Sequence, residues 1–121
     1  MKLSKREWHI MDALWSADRA LAARDVHDAV EPEYGWAYTT VKTMLDRLTK
    51  KEFVRNKRIG NILLYSPAVS RNAARLAEWR GFLGKAFGGE ARSALRFLAS
   101  ESELTTAERE ELRQLVERLD D

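Results

Sequence analysis

The chain has 121 residues, 45% hydrophobic and 33% charged, with a formal net charge of +2. That length suits one domain, or one domain with an appended unit, and is enough to bury a core. Cysteine is absent, which excludes disulfides and thiolate metal sites and makes a reducing cytoplasm the expected compartment. No apolar run approaches the ~20 residues of a membrane span, and no charged start followed by an apolar segment marks export.

The first element is announced by Ser4, three residues before Glu7, a capping box. Trp8, Ile10, Met11, Leu14 and Trp15 then fall on one face of a helix. A second helix is expected from about residue 22 to 30, with Val26, Ala29 and Val30 inward. It is expected to stop before "EPEYGW", because Pro32 disfavours helix at the residue before it and Gly35 breaks any continuation.

"AYTTVKTMLDRLTKK", residues 37–51, predicts a third helix in which Val41, Met44, Leu45 and Leu48 form a buried stripe. The opposite face carries Thr39, Lys42, Thr43, Asp46 and Lys50, with Thr40 and Arg47 at its borders. A solvated face usually mixes Glu with Lys at i, i+4; this one has a single acid. Long basic side chains reach phosphates and guanine edges, and threonine offers a hydroxyl to base or phosphate and a methyl to thymine. The face therefore suits DNA readout, with a partnerless solvent-exposed face as the alternative.

"FVRNKRIGNILLYSP" predicts two short strands joined at "IGN", with Gly60 and Asn61 both able to take the positive φ of a tight hairpin. Pro67, lacking an N–H, ends the second strand. The hairpin tip holds Lys57, Arg58 and Asn61, suited to the DNA backbone or a neighbouring minor groove. Three helices followed by a basic hairpin are the order of a winged helix. Charge supports this: residues 42–58 carry seven basic side chains against Asp46 and Glu52, a pattern suited to a polyanion.

Ser70 is the expected N-cap of a helix whose stripe is Leu76, Trp79, Leu83 and Phe87, and Gly88 and Gly89 end it. A short helix with Leu95 and Leu98 comes next. A last helix begins at a second capping box, Thr105 to Glu108, and carries Leu112, Leu115, Val116 and Leu119 inward. From Glu101 onward eight acidic residues face three arginines. Apolar stripes lying beyond the wing would leave a large patch on a monomer, which marks a partner surface. Self-association is the expectation, and folding back on the N-terminal core is the alternative. The fold class is thus mainly α with a small β-hairpin: a winged helix-turn-helix domain over residues 1–69 and a helical dimerisation domain over 70–121.

Catalysis is not expected. His9 and His27, the only histidines, lie in predicted helices with no nucleophile, base and orienting partner set around them. No glycine-rich phosphate loop is present. His9 and Asp12 at i, i+3 are two potential metal ligands, too few for a site. No cofactor is implied.

"AYTTVKTMLDRLTKKEFVRNKRIGNILLYSP" resembles the central signature of the penicillinase-repressor (BlaI/MecI type) family of winged-helix regulators. "SKREWHIMDALW", "ARDVHDAV" and the two-part C-terminal region are also similar to it. The resemblance implies a cytoplasmic, homodimeric transcriptional repressor on a two-fold-symmetric operator. Thr39, Thr40, Lys42, Thr43 and Arg47 would then belong to the recognition helix, and Arg58 and Asn61 to the wing. It further implies relief of repression by proteolysis at an Asn–Phe bond, under a membrane-bound sensor protease as partner. No Asn–Phe pair exists in this chain, and the cysteine pairs of copper-responsive relatives are absent too. A winged-helix module that binds another protein, and a nucleoid-type binder without sequence preference, are the alternative functions.

Overall fold

The computed structural model describes residues 2–101 and 103–120, except for the side chains of Val116, Arg118, Leu119 and Asp120. The inward roles expected for Val116 and Leu119 lie outside the described residues. Helix α1 (Lys5–Ser16) begins with the capping box: the Ser4 hydroxyl accepts the Glu7 N–H at 3.2 Å, and Glu7 Oε1 accepts the Ser4 N–H at 2.8 Å. Ile10, Met11 and Leu14 are buried, while Trp8 and Trp15 sit half-buried at the edge of the stripe. Trp15 Nε1 donates to the Val69 carbonyl at 2.9 Å, tying the chain after the hairpin back to α1.

A two-residue strand, β1 (Leu21–Ala22), precedes helix α2 (Ala23–Tyr34). The helix continues through Pro32, beyond its expected end. Pro32 removes a single intrahelical donor so close to the terminus. Two contacts hold the last turn: Gly35, at φ 67°, donates to the Glu31 carbonyl at 2.8 Å, and the Tyr34 ring packs 4.4 Å from that of His9. Helix α3 (Tyr38–Lys50) buries Val41, Met44, Leu45 and Leu48 as expected. It closes in a Schellman turn in which Phe53 donates to Leu48 and Glu52 to Thr49. Glu52, not glycine, takes the left-handed position there, at φ 67°.

Strands β2 (Val54–Ile59) and β3 (Ile62–Pro67) pair antiparallel from Val54↔Pro67 to Ile59↔Ile62. Gly60 alone in the turn has positive φ, 62°; Asn61, though also able to take that conformation, does not. A turn with positive φ only at its first central position needs glycine only there. β1 adds to the other edge of β3 through Leu21↔Tyr65 and Ala22↔Leu64, giving a sheet ordered β1-β3-β2. As the central strand, β3 places Tyr65 fully inside the core.

The chain divides into two compact units, Met1–Ala74 and Arg75–Asp121. The expected boundary at 69/70 lies a few residues before this division: the Ser70 hydroxyl caps helix α4 (Arg71–Phe87) by accepting the Ala73 N–H at 3.0 Å, and Ala74 packs in the first core. The second unit adds α5 (Ala91–Glu101) and α6 (Thr106–Asp120). The Thr105–Glu108 capping box forms at 3.0 and 3.1 Å. Of the proposed association stripe, Leu76, Leu98 and Leu115 are exposed, Trp79, Phe87, Leu95 and Leu112 are half-buried, and Leu83 is buried at 7% exposure. Phe82 and Phe97, outside that stripe, are about half exposed, at 49% and 51%. They join an aromatic run, Trp79–Phe82–Phe87–Phe97, with ring centroids 5.6–5.8 Å apart.

Candidate nucleic-acid interface

With its apolar stripe buried, α3 turns Thr39, Thr43, Arg47 and Lys50 to the surface, with Thr40 and Lys42 half-buried beside them. Ala37, at the N-cap, provides no side-chain acceptor, so the first-turn N–H groups are left without one. Thr39, Thr40, Thr43 and Arg47 line a groove of about 310 Å³ whose other wall is the start of α1, including Ser4 and Arg6. Arg6 was not evident from sequence: it lies 33 residues before Thr39 and shares no periodic pattern with it.

The cations of the basic stretch divide into two kinds. Lys42 is engaged: its Nζ donates to both Asp46 carboxylate oxygens at 2.8 and 3.1 Å and to the Tyr65 hydroxyl at 2.8 Å. Those hydrogen bonds, to Asp46 first and Tyr65 second, raise its pKa above the ordinary lysine value. Burial, the largest influence, raises that of Tyr65, and Tyr65 donates to Asp46 at 3.2 Å. Lys51 is likewise engaged, donating to both oxygens of the buried Glu7 at 2.8 and 3.0 Å and to the Lys2 carbonyl at 3.1 Å. Burial alone would raise the Glu7 carboxyl, but the hydrogen bonds from Lys51 and Ser4 more than offset it and hold it below the usual range.

Arg47 and Lys50 on α3, and Arg55, Lys57, Arg58 and Asn61 on the hairpin, are exposed. Ile59 and Ile62, flanking the turn, are also more than half exposed, at 55% and 56%. They add apolar surface to the basic tip of the hairpin. His9 is occupied in the fold, its Nδ1 2.8 Å from the Tyr34 hydroxyl. Among the described residues no three His, Cys, Asp or Glu side chains converge as a metal site.

A three-helix core, a three-stranded sheet ending in a basic hairpin, and an exposed Thr/Arg/Lys helix face together define a winged-helix DNA-binding protein. The pattern of the penicillinase repressor family matches residues 3–118, and the chain belongs to that family. It is a family of transcriptional repressors, not enzymes. The chain is similar to the penicillinase repressor of Staphylococcus aureus, 27% identical over 116 residues that span 96% of this chain and 91% of that one. It is also similar to the solution structure of the DNA-binding domain of the repressor BlaI: TM-score 0.52, 25% identity, 59% of this chain and 90% of that one. The same fold recurs in the Bacillus licheniformis BlaI monomer solved in complex with the blaP half-operator: TM-score 0.52, 24% identity, 60% of this chain and 87% of that one. Among the described residues no helix is long and apolar enough to cross a membrane.

Proposed function

We propose that the chain is a cytoplasmic, homodimeric repressor that blocks transcription by occupying an operator of two-fold symmetry. The observation that carries this reading is the α3 face, where Thr39, Thr43, Arg47 and Lys50 are exposed directly across the helix from a fully buried stripe. In this reading α3 lies in the major groove, with Thr43 and Arg47 at base edges and Lys50 at the backbone. Thr40 and Lys42 flank that contact. Lys57, Arg58 and Asn61 of the wing meet the adjacent backbone or minor groove.

Dimerisation supplies the second half-site at high effective concentration, which one small module lacks. The exposed Leu76, Leu98 and Leu115 of the second unit support that role, and Phe82 and Phe97 enlarge the surface. A membrane-bound sensor protease as partner would have to cut a bond other than Asn–Phe, a dipeptide this chain lacks.

In vitro selection from a random duplex pool at near-physiological salt tests the reading. One inverted repeat, with half-sites about a helical turn apart, is expected. Retention without a consensus would indicate a nucleoid-type binder, and no retention would favour a protein-binding module.

A further inference from the structure

The N-terminal end of α1 carries an exposed cation beside a pair of stacked aromatic rings. The Arg6 guanidinium carbon lies 5.9 Å from the centre of the Trp36 ring. Trp36 stacks on Tyr34, centroids 4.7 Å apart and planes 16° from parallel. Tyr34 in turn packs against His9, one turn along the helix that bears Arg6. The rings thus join α1 to the turn between α2 and α3, and Arg6 rests on their outer end. Among the described residues Arg6 makes no ion pair, whereas Lys42 and Lys51 are matched to Asp46 and Glu7.

From this we infer that Arg6 is a phosphate contact of the DNA-bound protein, positioned by Trp36, so that the footprint extends beyond recognition helix and wing onto α1. The inference rests on the DNA-binding reading above. Arg6 and Arg47 line the same groove, with Thr39, Thr40 and Thr43 along it. A strand whose bases meet Thr43 and Arg47 would carry its phosphates past the groove wall that holds Arg6. Arginine suits this position better than lysine. Its planar fork lies against an indole while its in-plane N–H donors stay free for a phosphate. Trp36 acts through Arg6 and is a positioning residue.

The test uses the full-length protein and the duplex recovered by selection, with a scrambled duplex beside it. Arg6→Gln should weaken both duplexes several-fold and by similar factors, and should flatten the log–log salt slope by about 0.9. Trp36→Leu should reproduce much of that loss with the charge still present, and Arg6→Lys should recover it only in part. A scan of single methylphosphonate substitutions adds a readout that misfolding cannot mimic. One phosphate should exist whose neutralisation weakens wild type but leaves Arg6→Gln unaffected. An unchanged slope with identical methylphosphonate profiles for wild type and Arg6→Gln would overturn the inference while leaving the DNA-binding reading intact. Failure of wild type to bind either duplex would overturn both.

Discussion

Lys42 Nζ and the Tyr65 hydroxyl are 2.8 Å apart, which fastens helix α3 to the central strand of the sheet. The same ammonium holds Asp46, one turn further along α3, so a cation on the proposed DNA face is matched within the protein before DNA arrives. Removing the acid should release it. Asp46→Ala is expected to tighten binding to any duplex and to steepen the salt slope by about 0.9, because one more cation is then free to displace a counterion. Fluorescence anisotropy at four or five salt concentrations would measure it. Unchanged binding would mean that the released Lys42 meets no phosphate, and weaker binding that Asp46 itself contributes to the DNA contact.

The Glu7–Lys51 pair predicts an acid dependence of stability. The Glu7 carboxyl titrates lower in the folded protein than in the unfolded chain. Its contribution is therefore fully present above the ordinary carboxylate range and is lost as pH falls through the folded value. Glu7→Gln should cost about 2 kcal/mol near neutrality, and the penalty should shrink as pH falls toward 3. Urea unfolding of both proteins across that range would show the two curves converging. Parallel curves would assign the acid sensitivity to other carboxylates.

Arg47→Ala should leave folding unchanged, since the side chain is exposed. If Arg47 reads a base, it should cost about 1–3 kcal/mol on the selected duplex and relax preference at one position of each half-site. A repeat selection with the mutant measures both. Equal weakening on selected and scrambled DNA would instead make Arg47 a backbone contact.

Two positions in the left-handed region should respond in opposite directions. Glu52 has φ 67° and Gly60 has φ 62°. Glu52→Gly should stabilise the first unit by up to about 1 kcal/mol, because glycine carries no Cβ penalty in that conformation. Gly60→Ala should destabilise it by about 1–2 kcal/mol, a purely conformational cost because nothing lies within 4 Å of an added Cβ. Thermal melts monitored by circular dichroism would resolve both signs.

Within the proposed association surface, burial separates two outcomes. Leu98→Asp, at an exposed position, should yield a folded monomer by analytical ultracentrifugation, with DNA affinity reduced. Leu83→Asp, at a buried one, should instead unfold the second unit, because a carboxylate there would be desolvated without a partner. A dimer that survives Leu98→Asp would move the interface elsewhere, and a folded Leu83→Asp protein would contradict a core role for Leu83.

Much of the first unit was legible from local signals. The Ser4 box, the stripe Val41, Met44, Leu45 and Leu48, and the turn glycine at 60 each depend on residues within a few positions of one another, so spacing alone reveals them. The polar face of α3 is then whatever that stripe leaves outside. Spacing also placed Thr39, Thr43, Arg47 and Lys50 on one surface. Features that spacing could not reveal depend on residues distant in the chain. The continuation of α2 through Pro32 rests on Tyr34 meeting His9, and β1 exists only because β3 offers it an edge. The engagement of Lys42 by Tyr65 and of Lys51 by Glu7, and the seating of Arg6 beside Trp36, are tertiary in the same sense. Composition counted seven cations between residues 42 and 58 as equivalent. The fold separates those already paired with an acid from those left exposed, because a charge is free for DNA only where no partner has been brought within hydrogen-bonding reach of it.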